Sequence, residues 1–107
     1  MKALLMLSLL VSTSLATGVV HAESETGEIK FTVAMLADVP ILRDTCSIPA
    51  ETIGEASAML EGILKAHPEF AYIVDEVQAE RLVRPLTEKQ KITYCPVLIR
   101  FLDKVLN

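Results

Sequence analysis

Histidine is scarce in this 107-residue sequence, tryptophan is absent, and only 5% of the residues are aromatic. The two histidines are His21 and His67, and His21 falls inside an N-terminal segment that reads as an export leader. Met1-Lys2 provides a positive start, Ala3 to Val11 is apolar but for Ser8, and Val20-His21-Ala22 fits the small-x-small pattern of a signal peptidase site. The expected organisation is a cleaved signal peptide over 1–22 and one domain over 23–107. His67 is then the only imidazole, and its place before Pro68 at a helix junction favours capping or packing over catalysis. No apolar run of about 18 residues follows the leader, so no spanning helix is expected. No cysteine follows the cleavage site to carry a lipid.

Positive charge is also in deficit. The whole chain carries a formal charge of −4, and residues 23–107 hold nine bases against fourteen acids, a net of −5. That balance argues against nucleic acid as a partner. The charge is uneven: residues 23–80 hold twelve acids and three bases, a net of −9, whereas 81–107 hold six bases and two acids, a net of +4. Such a dipole either steers a charged protein partner or is neutralised where the two halves pack.

Only two cysteines are present, Cys46 and Cys95, so one intramolecular pairing is possible. In an exported protein they are expected to be oxidised. Their spacing is not Cys-x-x-Cys, and neither stands in a position that stabilises a thiolate, so a structural disulfide is expected rather than a redox pair. A loop of about 50 residues closed in this way contributes roughly 4 kcal/mol in the chain-entropy account. Against roughly 5 to 10 kcal/mol for a domain this small, that is a large share.

The hydrophobic pattern indicates an all-α fold. Residues 23–27 are polar and are expected to fray. Over 28–38 the pattern is ambiguous, since Ile29, Phe31, Val33 and Met35 alternate like a strand while Ile29, Val33 and Leu36 line one helical face. No partner strand is evident elsewhere, so a helix ending before Pro40 is expected. Ile41 and Leu42 then form a short buried turn leading to Cys46. Pro49 suits a first helical position, and Ile53, Ala56, Leu60, Ile63 and Leu64 form a stripe at helical spacing that Pro68 closes. A second stripe of Phe70, Ile73, Val74, Val77 and Val83 stops at Pro85. Thr87 with Gln90 makes a capping box, so a last helix starts near Glu88. Pro96 is expected to kink or break it before Leu98, Phe101, Leu102 and Val105. The result is a small bundle of four to five short helices stapled by one disulfide, Cys46 to Cys95.

Candidates for chemistry are few. Asp75, Glu76 and Glu80 cluster on one helix, but they lack the carbonyl-rich loop and glycine of calcium sites and read as a solvated face. Ser24, Ser47 and Ser57 have no glycine elbow around them. No Cys-His or His-His metal spacing remains once the cysteines pair. The expectation is no catalytic residue, no metal and no cofactor.

One stretch resembles a known family. Cys46-Ser-Ile-Pro-Ala-Glu-Thr52-Ile-Gly54, an amphipathic helix, His67-Pro68-Glu69, a further helix and a final Cys95 look like the C-terminal half of the type VI secretion amidase immunity proteins, the Tai and Rap group. The similar stretch runs from Cys46 to Cys95; where the family has a tyrosine-containing motif and a further cysteine in its first helix, this chain has Phe31-Thr-Val-Ala34. The resemblance implies a small periplasmic all-helical protein that binds and blocks a peptidoglycan amidase. It carries no toxin-contacting residue onto this chain. Leu86-Thr-Glu-Lys-Gln90 is similar to the Leu-Thr-x-x-Gln motif of helical periplasmic stress chaperones.

These features together lead to the expectation of a small exported, non-catalytic binding protein, an immunity or inhibitor protein against a cell-wall-degrading amidase. The alternatives are a periplasmic stress chaperone and an accessory subunit of an envelope complex. A protein partner is expected, with no nucleic acid and no stable membrane insertion. The location is the periplasm, or the exterior if the host has no outer membrane.

Overall fold

A computed structural model describes residues 25–107. The signal peptide expected over 1–22 lies outside the described residues, as does Ser24. Among the described residues there are four α-helices and one 3-10 turn, and no strand.

The first helix, α1, covers 25–41, so the ambiguous segment is helical. It exceeds its expected limits at both ends. Residues 25–27 are helical rather than frayed, and Pro40 lies within the last turn. A proline there forfeits only its own bond to the Leu36 carbonyl, and the ladder resumes at once with Leu42 N–H donating to the Asp38 carbonyl at 2.9 Å. Val39, whose backbone the following proline would push out of the helical region, is held there by complete burial.

The strand-like alternation has a physical origin. α1 is the central helix of the bundle, and Val33, Met35, Leu36, Ala37, Asp38 and Val39 are all buried. A helix covered on nearly every side must be apolar nearly all round, so a single 3.6-residue stripe does not describe it. Met35, Leu36 and Val39 pack with Ala56, Leu98 and Leu102 in the larger core, while Val33 packs with Phe70 and Ile73 in a smaller one.

After α1 the chain turns through 42–47. Cys46 N–H donates to the Leu42 carbonyl at 2.8 Å, and Ile48 N–H to the Arg43 carbonyl at 2.9 Å. Leu42 and Ile48 anchor this turn in the core, whereas Ile41 stays in α1 and is partly exposed, so only half of the expected buried turn is buried. Ser47 adopts a left-handed backbone with φ of 54°.

Helix α2 spans Ala50–Ala66, with Pro49 just outside as its N-cap rather than as its first residue. Pro49 still contributes its carbonyl, which accepts from Ile53 N–H at 3.0 Å. Ala56 is fully buried, and Ile53, Leu60 and Ile63 pack beside it as the stripe required. Pro68 opens a 3-10 turn, Pro68–Phe70, that leads into α3, Ala71–Val83. Phe70 and Ile73 are buried, with Val74 and Val77 against them. Val83 breaks the expected stripe, since it is 75% exposed. By that last turn of α3 it is Arg81, not an apolar side chain, that faces α1.

Helix α4 spans Glu88–Leu106 without a break, and Pro96 lies inside it. The break anticipated there is absent because Pro96 is exposed, leaving its ring on the solvent side, and Leu98 and Leu102 on the opposite side are buried against α1 and α2. The capping box is formed: Gln90 N–H donates to Thr87 Oγ1 at 3.2 Å, and Thr87 N–H to Gln90 Oε1 at 3.0 Å. Phe101 meets Phe31 of α1 edge to face at 5.8 Å. The Cys46–Cys95 disulfide is present, with Cα atoms 5.3 Å apart, and ties the 42–47 turn to the middle of α4. No helix among the described residues is long and apolar enough to cross a membrane.

Candidate functional site

Among the described residues the one buried charge is Asp38, only 4% exposed and flanked by apolar residues of α1. An uncompensated carboxylate there would be prohibitively costly, and its place in the last turn of a helix sets it against the negative end of the dipole. Two residues from other helices resolve this. Arg81 of α3 donates from Nε to Oδ1 and from Nη2 to Oδ2, each at 2.8 Å. Tyr94 of α4 donates its hydroxyl to Oδ2 at 2.7 Å. The Tyr94 oxygen also lies 3.3 Å from Met35 Sδ, and the Arg81 guanidinium stands 5.1 Å from the Tyr94 ring centroid.

The electrostatics follow from these contacts. The hydrogen bond to Asp38 pushes the Arg81 guanidinium further above its already high range, outweighing the opposing effect of burial. Tyr94 is raised well above the usual tyrosine range, first by burial and then by the bond to Asp38, so its phenol stays neutral at any physiological pH. Among the described residues no buried side-chain nitrogen or oxygen lacks a hydrogen-bond partner. Chemically this cluster crosslinks three helices. Its carboxylate is saturated by three donors, and a permanently charged guanidinium beside a permanently neutral phenol does not exchange protons near neutral pH.

Two surface clefts flank Arg81. One, of about 650 Å³, is lined by Asp38, by Glu76, Val77, Ala79, Glu80, Arg81 and Val83 of α3, and by Arg84 just beyond that helix. The other, of about 510 Å³, lies between Arg81 and α4, with Leu86, Tyr94 and Val97 as apolar lining and Lys89, Gln90 and Thr93 as polar lining. Arg81 is therefore the partition between a mixed acidic cleft and a basic one.

The sequence-derived candidates fall elsewhere. Cys46 and Cys95 are joined, beside a small hollow that includes Thr45, Lys91 and Ile92. His67 lies on the far side of the bundle, 3.4 Å from Glu69 and stacked on Phe70 at 5.8 Å, consistent with a packing role. Asp75, Glu76 and Glu80 are exposed on α3, and Glu80 pairs with Arg84 at 3.6 Å. Ser47 and Ser57 are exposed. No cluster of three or more His, Cys, Asp or Glu side chains suited to a metal ion occurs among the described residues.

Sequence reasoning missed Asp38, Arg81 and Tyr94. The available signal was the lone carboxylate in the otherwise uncharged run from Phe31 to Leu42, which calls for a buried cation somewhere in the chain. The chain matches no family model, no curated protein and no solved structure.

Proposed function

We propose that this chain is a small exported protein that acts by binding another protein without catalysis, as an immunity or inhibitor protein against a cell-wall-degrading amidase. The observation that carries the reading is the mutual saturation of Asp38, Arg81 and Tyr94. The charged groups most favourably placed for acid-base work are committed to holding α1, α3 and α4 together, which suits a rigid scaffold presenting a fixed surface. A disulfide closing the second half of the chain adds to that rigidity. The similarity of Cys46 to Cys95 with the Tai and Rap group supplies the partner class. The net −9 of residues 23–80 and +4 of residues 81–107 supports electrostatic steering of a charged partner. Export to the periplasm accompanies this reading and accounts for the oxidised cysteines.

A second reading, a periplasmic stress chaperone, is favoured by three aliphatic side chains that are at least three-quarters exposed, Leu82, Val83 and Ile92. Affinity purification of the tagged protein from the export compartment separates the two. The immunity reading expects one stoichiometric partner with amidase activity. Recovery of many unrelated proteins, with suppression of their aggregation on acidification, would favour the chaperone and overturn the first reading.

A further inference from the structure

The interior of this bundle is divided unequally among its helices. The larger core takes its nine buried residues from α1, the 42–48 segment, α2 and α4, and among the described residues neither these nor the apolar side chains packed on them come from 68–84. That stretch enters only the smaller core, through Phe70 and Ile73 with Val74 and Val77 beside them. Helix α2 reaches both cores through Leu60 and Ile63, so its anchorage does not rest on α3. The disulfide joins the 42–47 turn to α4 without touching α3. Arg81, in the last turn of α3, is the only residue of that helix hydrogen-bonded to another helix among the described residues.

Both ends of the stretch are joints. His67 and Arg84 leave the helical region, at φ −133°, ψ 65° and φ −131°, ψ 77°, as the residue before a proline is pushed to do. Pro68 and Pro85 then have no N–H with which to carry a helical ladder across. Residues 68–84 are therefore a short helical unit between two proline-marked joints, with one apolar contact near its start and one ion pair near its finish.

We infer that 68–84 is a latched strap: it swings away from α1 as one unit about these joints while α1, α2 and α4 stay folded around the larger core and the disulfide, and the Asp38–Arg81 pair is the latch that keeps it closed. The closed form prevails, because opening uncovers Phe70 and Ile73 and parts Arg81 from Asp38. The latch controls the opening for a physical reason. While the strap is closed, the buried Asp38 carboxylate depends on the guanidinium; once the strap leaves, the cleft that Asp38 shares with α3 is filled by water and the carboxylate is hydrated. Loss of Arg81 thus raises the free energy of the closed form and leaves the open form untouched. The device does not depend on the amidase reading, and either can fail alone.

Native-state amide exchange of the oxidised protein in graded low urea is the test. In the wild type the α3 amides are expected to exchange as a group, about tenfold or more faster than those around Ala56 of α2 and Leu98 of α4, and with a weaker urea dependence because less surface is exposed than in global unfolding. Arg81→Ala should speed α3 exchange by about a hundredfold or more, to the point where α3 loses protection while the amides near Ala56 and Leu98 keep theirs. Ethylguanidinium, which replaces the missing end of the side chain, should restore α3 protection in that variant and leave Asp38→Leu with Arg81→Met unchanged. If Arg81→Ala does not fold, Arg81→Lys takes its place, with a smaller acceleration of α3 expected. Exchange of α3 in step with α2 and α4, at one rate and one urea dependence, would overturn the inference. So would an Arg81 variant whose α3 keeps wild-type protection, or an Arg81→Ala protein that ethylguanidinium leaves unprotected.

Discussion

Asp38 and Arg81, 43 positions apart in sequence, form a two-pronged ion pair at 2.8 Å on each prong. The aspartate side chain is 6% exposed and the arginine 20%, so water does little to screen the pair. It is the link through which α3, otherwise held by the small core around Phe70 and Ile73, is fastened to the central helix. Buried pairs of this kind add little net stability compared with apolar replacements, yet losing one partner is severe.

Arg81→Ala should therefore cost about 3 to 5 kcal/mol, because it strands the Asp38 carboxylate in the core. Arg81→Lys should recover part of that, since an ammonium cannot reproduce the two-pronged geometry. The double change Asp38→Leu with Arg81→Met should lie much closer to wild type than Arg81→Ala does. Urea unfolding of the three variants checks the order. An Arg81→Ala protein as stable as wild type would show that the pair does not hold the fold.

Tyr94 gives the protein an alkaline limit. Its folded-state pKa is raised, so below about pH 10 both folded and unfolded chains carry the proton and the group has no effect on stability. As the pH rises past that value the unfolded chain releases the proton first, and stability falls by up to about 1.4 kcal/mol per pH unit. Tyr72→Phe leaves Tyr94 as the sole tyrosine, and the phenolate absorbance should then appear together with loss of helix, not before it. Ionisation while the helical signal persists would contradict the assignment.

Cys95→Ser should destabilise the domain by up to about 4 kcal/mol in the chain-entropy account. The effect should be local first. Amide exchange should rise earliest in the 42–47 turn and in α4 around residue 95, with the α2 centre near Ala56 the last to lose protection. Uniform loss of protection along the chain would mean that the staple supports the whole bundle at once.

Ser47 occupies the left-handed region, where a side chain is strained and glycine is not. Its side chain is exposed, so little packing is lost on truncation. Ser47→Gly should be neutral or stabilising by up to about 1 kcal/mol, and Ser47→Val destabilising by more than that. Thermal unfolding of the pair with wild type reads both signs.

How much of this was legible in the sequence depended on the range of the interaction. The Thr87–Gln90 capping box was readable because both partners lie within one turn, and it is formed as expected. The Cys46–Cys95 pairing was readable because two cysteines allow only one intramolecular bridge. The α2 stripe from Ile53 to Ile63 was readable because that helix buries a single face. α1 resisted the same reasoning because it buries several faces at once, so its apolar residues follow no single period, and because packing around Val39 overrides the proline that follows. The Asp38–Arg81–Tyr94 cluster was not readable, since its members lie on three helices and only the folded topology brings them together. Val83 was misjudged for a related reason: α3 runs beyond the core, and a hydrophobic period does not reveal where the neighbouring helix stops.

The central claim, that this scaffold acts by binding and blocking an amidase, is tested most directly by titration. Purified cell-wall amidase recovered with the protein is incubated with peptidoglycan and increasing amounts of residues 23–107, and release of soluble fragments is followed. The account predicts a linear fall to zero with an end point at one molecule of this protein per enzyme. Undiminished release at a large molar excess would contradict it.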